Sequence, residues 1–344
     1  MAKVSPLKTL MQLKPAAVEL HSESNSVTSS DKTTLSAFRE ANDIGILKVT
    51  GNDTLDLLNR LSTNNVLNIE PYNASHTILT NDKGRIIDII YVVNMESYYL
   101  LITSPGQDQL IMDWLDKYTI MEDIEYANNT SHYSVFHILK DELSSIFETS
   151  NSAPNTSQII EVNTPIPDSL LIPYQLGDIR SYLLITEQTN QLSAYNHLSN
   201  YLTFWDPAQY EHFRIGQKIP LHGSELSEQH NPLEAGLIGA IDFHKGCYIG
   251  QEVIARLDSY DKVQKHLSFI EINTEGNNHS NKQLFFDGKS AGIITSAQHN
   301  ENSFAPFGMA YIHKNYSKAG TTLLTNDGGK ILVLENPLFF GEEK

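Results

Sequence analysis

The stretch Phe243-His244-Lys245-Gly246-Cys247-Tyr248-Ile249-Gly250-Gln251-Glu252 holds the residues of this chain best suited to chemistry, among them its one cysteine. A lone thiol acts as its thiolate, either as a nucleophile or as a metal ligand. Neighbouring cations and the exposed N–H groups of a helix start favour that form. Both are at hand. Lys245 and His244 precede Cys247, while beyond Gly250 the residues Val253, Ile254 and Leu257 fall at helical spacing, with Gln251 and Glu252 in the first turn. Gly246 and Gly250 flank Cys247-Tyr248-Ile249 and let the backbone turn tightly or approach another segment closely. Residue types alone leave two readings of Cys247: a reactive or metal-binding sulfur ahead of a helix, or a small apolar residue buried in a glycine-flanked turn.

The rest of the chain must position that loop. A length of 344 residues suits two or three domains, and 40% hydrophobic content is enough to build their cores. No apolar run approaches the roughly 20 residues that span a bilayer. One cysteine excludes a disulfide framework and makes the cytosol the expected compartment. The formal charge of −17, from 41 acidic and 24 basic residues, argues against wrapping nucleic acid through its phosphates.

Met1 to about Lys32 is Ser-rich, interrupted by Pro6 and Pro15, and reads as a partly ordered arm. Its first lysines come without acids, but the absence of Arg and the early prolines speak against a transit peptide. Ordered structure is expected from Thr34. Leu35 to Ala41 reads as helix. Ile44 to Thr50 reads as a strand with Ile44, Ile46 and Lys48 on one face and Leu47 and Val49 on the other. Asn52 is the expected cap of a helix with an apolar stripe of Leu55, Leu58 and Leu61. Strands follow at His76–Thr80, Ile86–Asn94 and Ser97–Thr103, with a turn at Asn81–Gly84, and a helix over Pro105–Lys117 closes an α+β unit of ferredoxin-like type. A second α+β unit is expected from about His132 to Leu202, with strands at Ser134–Leu139 and Tyr182–Thr186, a helix over 187–202 and a polar loop at Asn151–Thr156. Asp206-Pro207 starts a helix that Gly216 stops, which places Arg214 in its last turn. Beyond Tyr260, short strands at His266–Ile272, Gln283–Phe286, Ser290–Ser296, Gly308–His313 and Ile331–Leu334 predict a small antiparallel barrel or sandwich.

The run from Lys245 to Glu252 resembles the signature of the YgfZ family, folate-binding relatives of the glycine-cleavage T-protein (aminomethyltransferase). Other patches agree in order. Arg60-Leu61-Ser62-Thr63-Asn64-Asn65-Val66 and Gly84-Arg85-Ile86-Ile87-Asp88 are similar to the T-protein's leucine-rich helix, glycine turn and acidic strand. Pro232-Leu233-Glu234-Ala235-Gly236-Leu237 resembles a shared motif ahead of the central loop, and Ala291–Ser296 with Gly308–Ile312 resembles the superfamily's C-terminal barrel. The resemblance covers most of residues 34 to 335. T-proteins usually carry two consecutive aspartates on the acidic strand, one of which acts at the folate nitrogen. Here Asp88 is followed by Ile89, which removes a protonatable carboxylate where one-carbon transfer needs it.

The resemblance implies an arm at 1–33, a split folate-binding α+β domain at 34–130 and 205–259, a second α+β domain at 131–204 and a C-terminal β-barrel at 260–344, arranged around an opening for folate. It implies tetrahydrofolate or a derivative as ligand and no tightly bound metal. It also implies a role in the assembly or repair of iron–sulfur proteins, with effects on tRNA modification only indirect. Asp88, Arg214 and Glu234 are the expected folate contacts. Their plain alternatives are a strand-edge charge, a helix-dipole partner and a turn cap. Lys83, Arg85, Arg214, Lys245 and Arg256 are candidates for a basic lining. Cys247, in the motif loop of Lys245, Gly246, Tyr248, Gly250, Gln251 and Glu252, is the expected functional thiol. Clusters take about four thiolates, so it would share a cluster or exchange thiols with an iron–sulfur carrier or client protein. No direct nucleic-acid or membrane partner is expected. The rival reading is a folate-dependent aminomethyl transferase.

Overall fold

Apolar periodicity sets the first elements. The computed structural model describes residues 35–140, 142–147, 158–162, 165–176, 179–273, 280–298 and 306–339, so the expected N-terminal arm and the polar loop at Asn151–Thr156 lie outside the described residues. Strands β1 (Ala37–Glu40) and β2 (Ile44–Thr50) lead into helix α1 (Thr54–Leu61), then β3 (Ala74–Thr80), β4 (Ile86–Asn94), β5 (Tyr99–Pro105), helix α2 (Asp108–Tyr118) and β6 (Glu125–Asn128). Five of these strands form one antiparallel sheet in the order β3-β4-β5-β2-β6. β2 alternates as predicted, because Ile44 and Ile46 enter one apolar cluster while Leu47 and Val49 enter another on the opposite face. Leu57, Leu58 and Leu61 of α1 and Ile111 and Leu115 of α2 cover that second face.

The next stretch supplies β7 (Tyr133–Leu139), β8 (Ile160–Val162), β9 (Ser169–Leu176), β10 (Ile179–Glu187), helix α3 (Gln191–Ser199) and β11 (Thr203–Phe204). With β1 they form a six-stranded sheet ordered β11-β1-β7-β10-β9-β8. Ala194 and Leu198 of α3 close its outer face over Phe38, Phe136 and Leu184. Its inner face, with Val135, Ile172, Leu183 and Ile185, meets Ile44, Ile46, Tyr91, Val93 and Ile102 of the first sheet in one cluster. The two sheets are thus stacked face to face with helices outside, and their facing apolar side chains form one seam.

Two expectations fail here for identifiable reasons. Leu35–Ala41, read as helix, contains strand β1, which pairs antiparallel with β7 and parallel with β11. A short apolar run carries no period long enough to separate the two states, and long-range pairing decides. Asn52 does not cap α1. Asp53 stands at the cap position without a side-chain cap bond, and Asn52 Nδ2 and Asp53 Oδ2 instead bond Asp123 at 2.9 and 2.8 Å. Strand β9 escaped the sequence reading because Pro173 interrupts it, and Pro demotes a run that otherwise reads as an interior strand.

Helix α4 (Pro207–Gly216) starts as expected, with Asp206 and Gln209 forming a reciprocal capping box behind Pro207. An irregular stretch leads to helix α5 (Gln251–Ser259). The remaining strands, β12 (Lys265–Asn273), β13 (Gln283–Phe286), β14 (Lys289–Ala297), β15 (Phe307–His313), β16 (Thr322–Thr325) and β17 (Lys330–Glu335), close an antiparallel barrel in the order β12-β15-β14-β13-β16-β17. The architecture is therefore the expected one of α+β layers followed by a C-terminal antiparallel barrel. Among the described residues no helix is long and apolar enough to cross a membrane.

Buried imidazoles make this fold sensitive to acid. Burial pushes His76 down to about 4 and His230 down to about 3, so each is neutral in the folded state at neutral pH. Depressed folded values favour folding above the ordinary histidine value of about 6.5, and that contribution is lost as pH falls toward the folded values. The urea midpoint is expected to fall steadily from pH 6.5 to pH 4, and His76→Gln is expected to flatten that slope, as followed by tryptophan fluorescence.

Candidate functional site

A β-bulge shapes the site. The pairing of β3 with β4 skips one residue between Leu79↔Asp88 and Thr80↔Ile86. Ile87 and Ile90 both enter the helix-covered core, so the alternation changes phase at Asp88 and Ile89 turns to the other face. There Ile89 lines an open cavity at the end of the seam between the sheets. Tyr91, Tyr174 and Tyr210 form an aromatic wall, with Tyr91 and Tyr174 ring centroids 4.6 Å apart. Ser104, Leu221, His222, Leu237 and Phe339 contribute elsewhere, and no lining residue is acidic. Burial raises all three phenols above their ordinary range, so they stay neutral.

Asp88 is fully buried in the bulge. Its Oδ1 accepts from Ile89 N at 2.9 Å and its Oδ2 from Ser104 N at 2.9 Å, so the carboxylate replaces ladder bonds where β4 and β5 splay. His222 Nδ1 stands 3.5 Å from Oδ1. Asp88 thus adjoins the cavity through His222 and Ser104, while Ile89 forms the wall.

Arg214 lines the cavity with its charge already matched. It is 1% exposed and lies in the last turn of α4. Its Nη1 donates to Ile219 O at 3.1 Å and Glu225 Oε2 at 3.2 Å, its Nη2 to Ser296 Oγ at 2.9 Å, and its Nε and Nη2 to Glu211. Glu225, itself fully buried, accepts from Ser296 Oγ at 2.6 Å and from Leu221 N at 3.0 Å. This network joins α4 to β14 of the barrel. Glu234 lies elsewhere, capping its own turn: Oε2 accepts from Asn231 N and from Arg85 Nη1, each at 3.2 Å, while Glu234 N donates to Asn231 Oδ1 at 2.9 Å. It is not among the cavity-lining residues.

The cysteine loop is a docked structure separate from the cavity wall. Lys245 Nζ donates to three carbonyls, Asn59 O at 2.8 Å, Ser62 O at 2.8 Å and Asn64 O at 2.6 Å, at the end of α1. Burial pushes the ammonium down to about 8, which leaves it charged at neutral pH with all three N–H bonds used. Lys245 therefore serves the fold, and its charge is not free to serve the thiol. Ile249 N donates to Arg60 O at 3.1 Å, and Ile249 O accepts from Thr80 Oγ1 at 2.6 Å. Gly250 has φ +85°, and a Cβ there would lie 2.6 Å from Asn81 O and 2.8 Å from Gly84 Cα, so only glycine fits against the β3–β4 turn. Tyr248 is buried with Leu233, Ile241 and Ile254 of α5. Cys247 and its neighbours His244 and Gly246 are exposed. The thiol thus stands in solvent ahead of α5, on a loop fixed on both sides, and the reading of Cys247 as a buried packing residue is overturned.

Arg39, the three tyrosines, His222 and Glu225 had no sequence signal. They lie far apart in the chain, and Arg39 sat in a segment read as helix. Among the described residues no group of three or more His, Cys, Asp or Glu is placed to hold a metal ion.

Two substitutions test this geometry by urea denaturation. Lys245→Met leaves three carbonyls without their donor and is expected to cost about 1–3 kcal/mol. Asp88→Asn sets an amide NH₂ against a backbone N–H, and a loss of similar size, about 1–3 kcal/mol, is expected.

The comparisons with known proteins agree with this anatomy. Residues 33–140 match the GCVT N-terminal domain family. The chain is 27% identical over 299 residues to a chloroplastic putative transferase of Arabidopsis thaliana, covering 85% of this chain and 69% of that one. It is 24% identical over 328 residues to an aminomethyltransferase of Symbiobacterium thermophilum, covering 86% and 84%. The fold is shared with the glycine cleavage system aminomethyltransferase T of Bartonella henselae, at a TM-score of 0.77 and 16% identity, over 90% of this chain and 88% of that one. Residues 33–140 are thus similar to the GCVT N-terminal domain, in a chain that shares its fold with an aminomethyltransferase and is similar in sequence to others.

Proposed function

We propose that this protein binds tetrahydrofolate or a derivative in the cavity between its sheets and supports the assembly or repair of iron–sulfur proteins, with Cys247 as its exchangeable thiol. The observation that carries this reading is the separation of two chemistries: an aromatic, acid-free cavity, and an exposed thiol on a rigid loop outside the cavity lining. The lining of the cavity suits a folate. Tyr91 and Tyr174 offer faces to a flat ring, and His222 Nδ1 is a buried polar atom without a hydrogen-bond partner. Arg39 gives the cavity positive charge in an otherwise acidic chain.

At Cys247 the proposed step is ligand exchange without redox change. The thiol loses its proton, its sulfur lone pair bonds an iron of a cluster held by a carrier protein, and the displaced carrier thiolate takes up a proton. The resemblance of the Lys245–Glu252 loop to the YgfZ signature supports this reading, as does the exposure of Cys247.

A folate-dependent aminomethyl transferase is the second reading, favoured by the names of the relatives. Ile89 weighs against it. The wall residue beside Asp88 carries no proton, and the carboxylate of Asp88 is engaged by two backbone N–H groups.

Calorimetric titration with tetrahydrofolate and its 5,10-methylene and 5-formyl forms, on wild type and Cys247→Ser in parallel, separates these possibilities. Equal binding by both proteins is expected, together with loss of cluster transfer to an apo client in Cys247→Ser. No binding of any folate sinks the folate half of the proposal. Undiminished cluster transfer by Cys247→Ser sinks the thiol half, and steady one-carbon transfer to folate by wild type establishes the transferase reading.

A further inference from the structure

The cavity wall holds two guanidinium groups, and only one of them is neutralised. Arg214 is enclosed by Glu211 and Glu225. Arg39, by contrast, has no carboxylate within ion-pair distance among the described residues. Its Nη1 donates to the carbonyl of its own neighbour Glu40 at 3.2 Å, and its Nε is buried without a hydrogen-bond partner. The guanidinium carbon lies 4.0 Å from the centroid of the Tyr210 ring, which holds its plane over the aromatic wall.

The strand pairing explains why this cation is where it is. Arg39 faces His137 across β1 and β7, so both side chains leave the sheet on the same side. His137 is buried and its Nε2 lies 2.9 Å from Ser181 Oγ. Ser181 donates its own hydroxyl hydrogen to Tyr174 O, so its oxygen accepts the His137 Nε2–H. Tyr174 and Tyr210 meet the His137 ring edge-on. The ring and hydroxyl of Tyr210, with a neutral imidazole across the strands, thus hold a partly desolvated cation at the cavity with its Nε–H unused. Such an arrangement is costly unless an anion completes it.

We propose that Arg39 anchors a carboxylate of the cavity's ligand, the group presented by an aryl-amide-linked amino acid such as the glutamate end of a folate. A planar guanidinium matches a planar carboxylate with two parallel N–H···O bonds, and one free cation balances one such charge. A phosphate, with a charge near two, would need a second free cation at the wall, and Arg214 is already matched. This inference rests on the folate reading for the identity of the ligand, but its test separates the two.

The experiment measures binding of three probes to the full chain by calorimetry: 5-formyl-tetrahydrofolate, the tail fragment p-aminobenzoyl-glutamate, and a tetrahydropterin without a tail. Wild type, Arg39→Gln and Arg39→Lys are compared, with circular dichroism confirming that each is folded. Arg39→Gln is expected to weaken the folate and the tail fragment by about ten- to a hundredfold and to leave the tail-less pterin unchanged. Arg39→Lys is expected to recover part of that loss, which a purely structural cation–aromatic role would not distinguish between probes. Equal loss for all three probes, or tail-fragment binding that is unchanged in Arg39→Gln or absent from wild type, overturns the anchor. Tail-fragment binding that depends on Arg39, with no binding of the complete folate, keeps the anchor and removes the folate reading.

Discussion

One ammonium group ties the two halves of the chain's chemistry together. Lys245 Nζ satisfies three carbonyls at the C-terminal end of α1, where a helix leaves its last carbonyls unpaired and partially negative. A solvent-exposed lysine at that place would contribute little. Here burial removes water as a competitor, so the loop carrying Lys245 and the segment Asn59–Asn64 specify each other's position. Once Lys245 is seated, Ile249 can bridge Arg60 and Thr80, and Gly250 can lie against the β3–β4 turn. That same turn opens β4, whose bulge sets which residues reach the cavity. The cysteine loop and the cavity therefore share a frame although Cys247 is not among the cavity-lining residues.

A second buried charge does comparable service at the other end of the site. Arg214 and Glu225 are 1% and 0% exposed, and such a pair is tolerable only when every remaining donor and acceptor is filled. Ser296, Ile219 O, Leu221 N and Glu211 fill them. Because Ser296 belongs to β14 and Arg214 to α4, the network sets the barrel against the layered half. Phe339, beyond the last barrel strand, then packs back: its N donates to Gly236 O at 2.8 Å and its ring lines the cavity. Gly236 has φ +74°, and a Cβ would lie 2.2 Å from Pro337 O, which gives the glycine of the Leu-Glu-Ala-Gly run its physical role.

Particular residues show what the sequence made legible. The β2 alternation, the Asp206-Pro207 helix start and five of the six barrel strands were readable because each depends on local pattern or capping chemistry. Cys247 was correctly placed ahead of a helix, since glycine spacing and helical periodicity meet there. What was not legible is what depends on partners far along the chain. β1 is a strand because β7 and β11 lie on either side of it. Lys245 is a clamp because α1 ends beside it. The motifs that nominate Arg214 and Glu234 as ligand contacts say nothing of their protein partners, Glu211 and the buried Glu225 for the one and the turn at Asn231 for the other. Tyr91, Tyr174 and Tyr210 come from three separate elements that no spacing rule connects.

The bulge at Asp88 shows how one extra residue gives two neighbouring positions different tasks. Perfect alternation along β4 would set Asp88 and Ile86 on one face and Ile87 and Ile89 on the other. The extra residue breaks that rule, turning Ile89 to the cavity and freeing the Asp88 carboxylate to lie along the sheet. In that position the carboxylate has a structural task, because without it Ser104 N–H would be buried where β4 and β5 no longer pair. The two neighbouring positions are therefore under different constraints. The first must remain an acceptor for the splayed strands to hold, whereas the second lines the cavity and packs against the cluster of Ile78, Ile86 and Leu237. An isoleucine there gives the cavity an apolar wall with no proton to exchange.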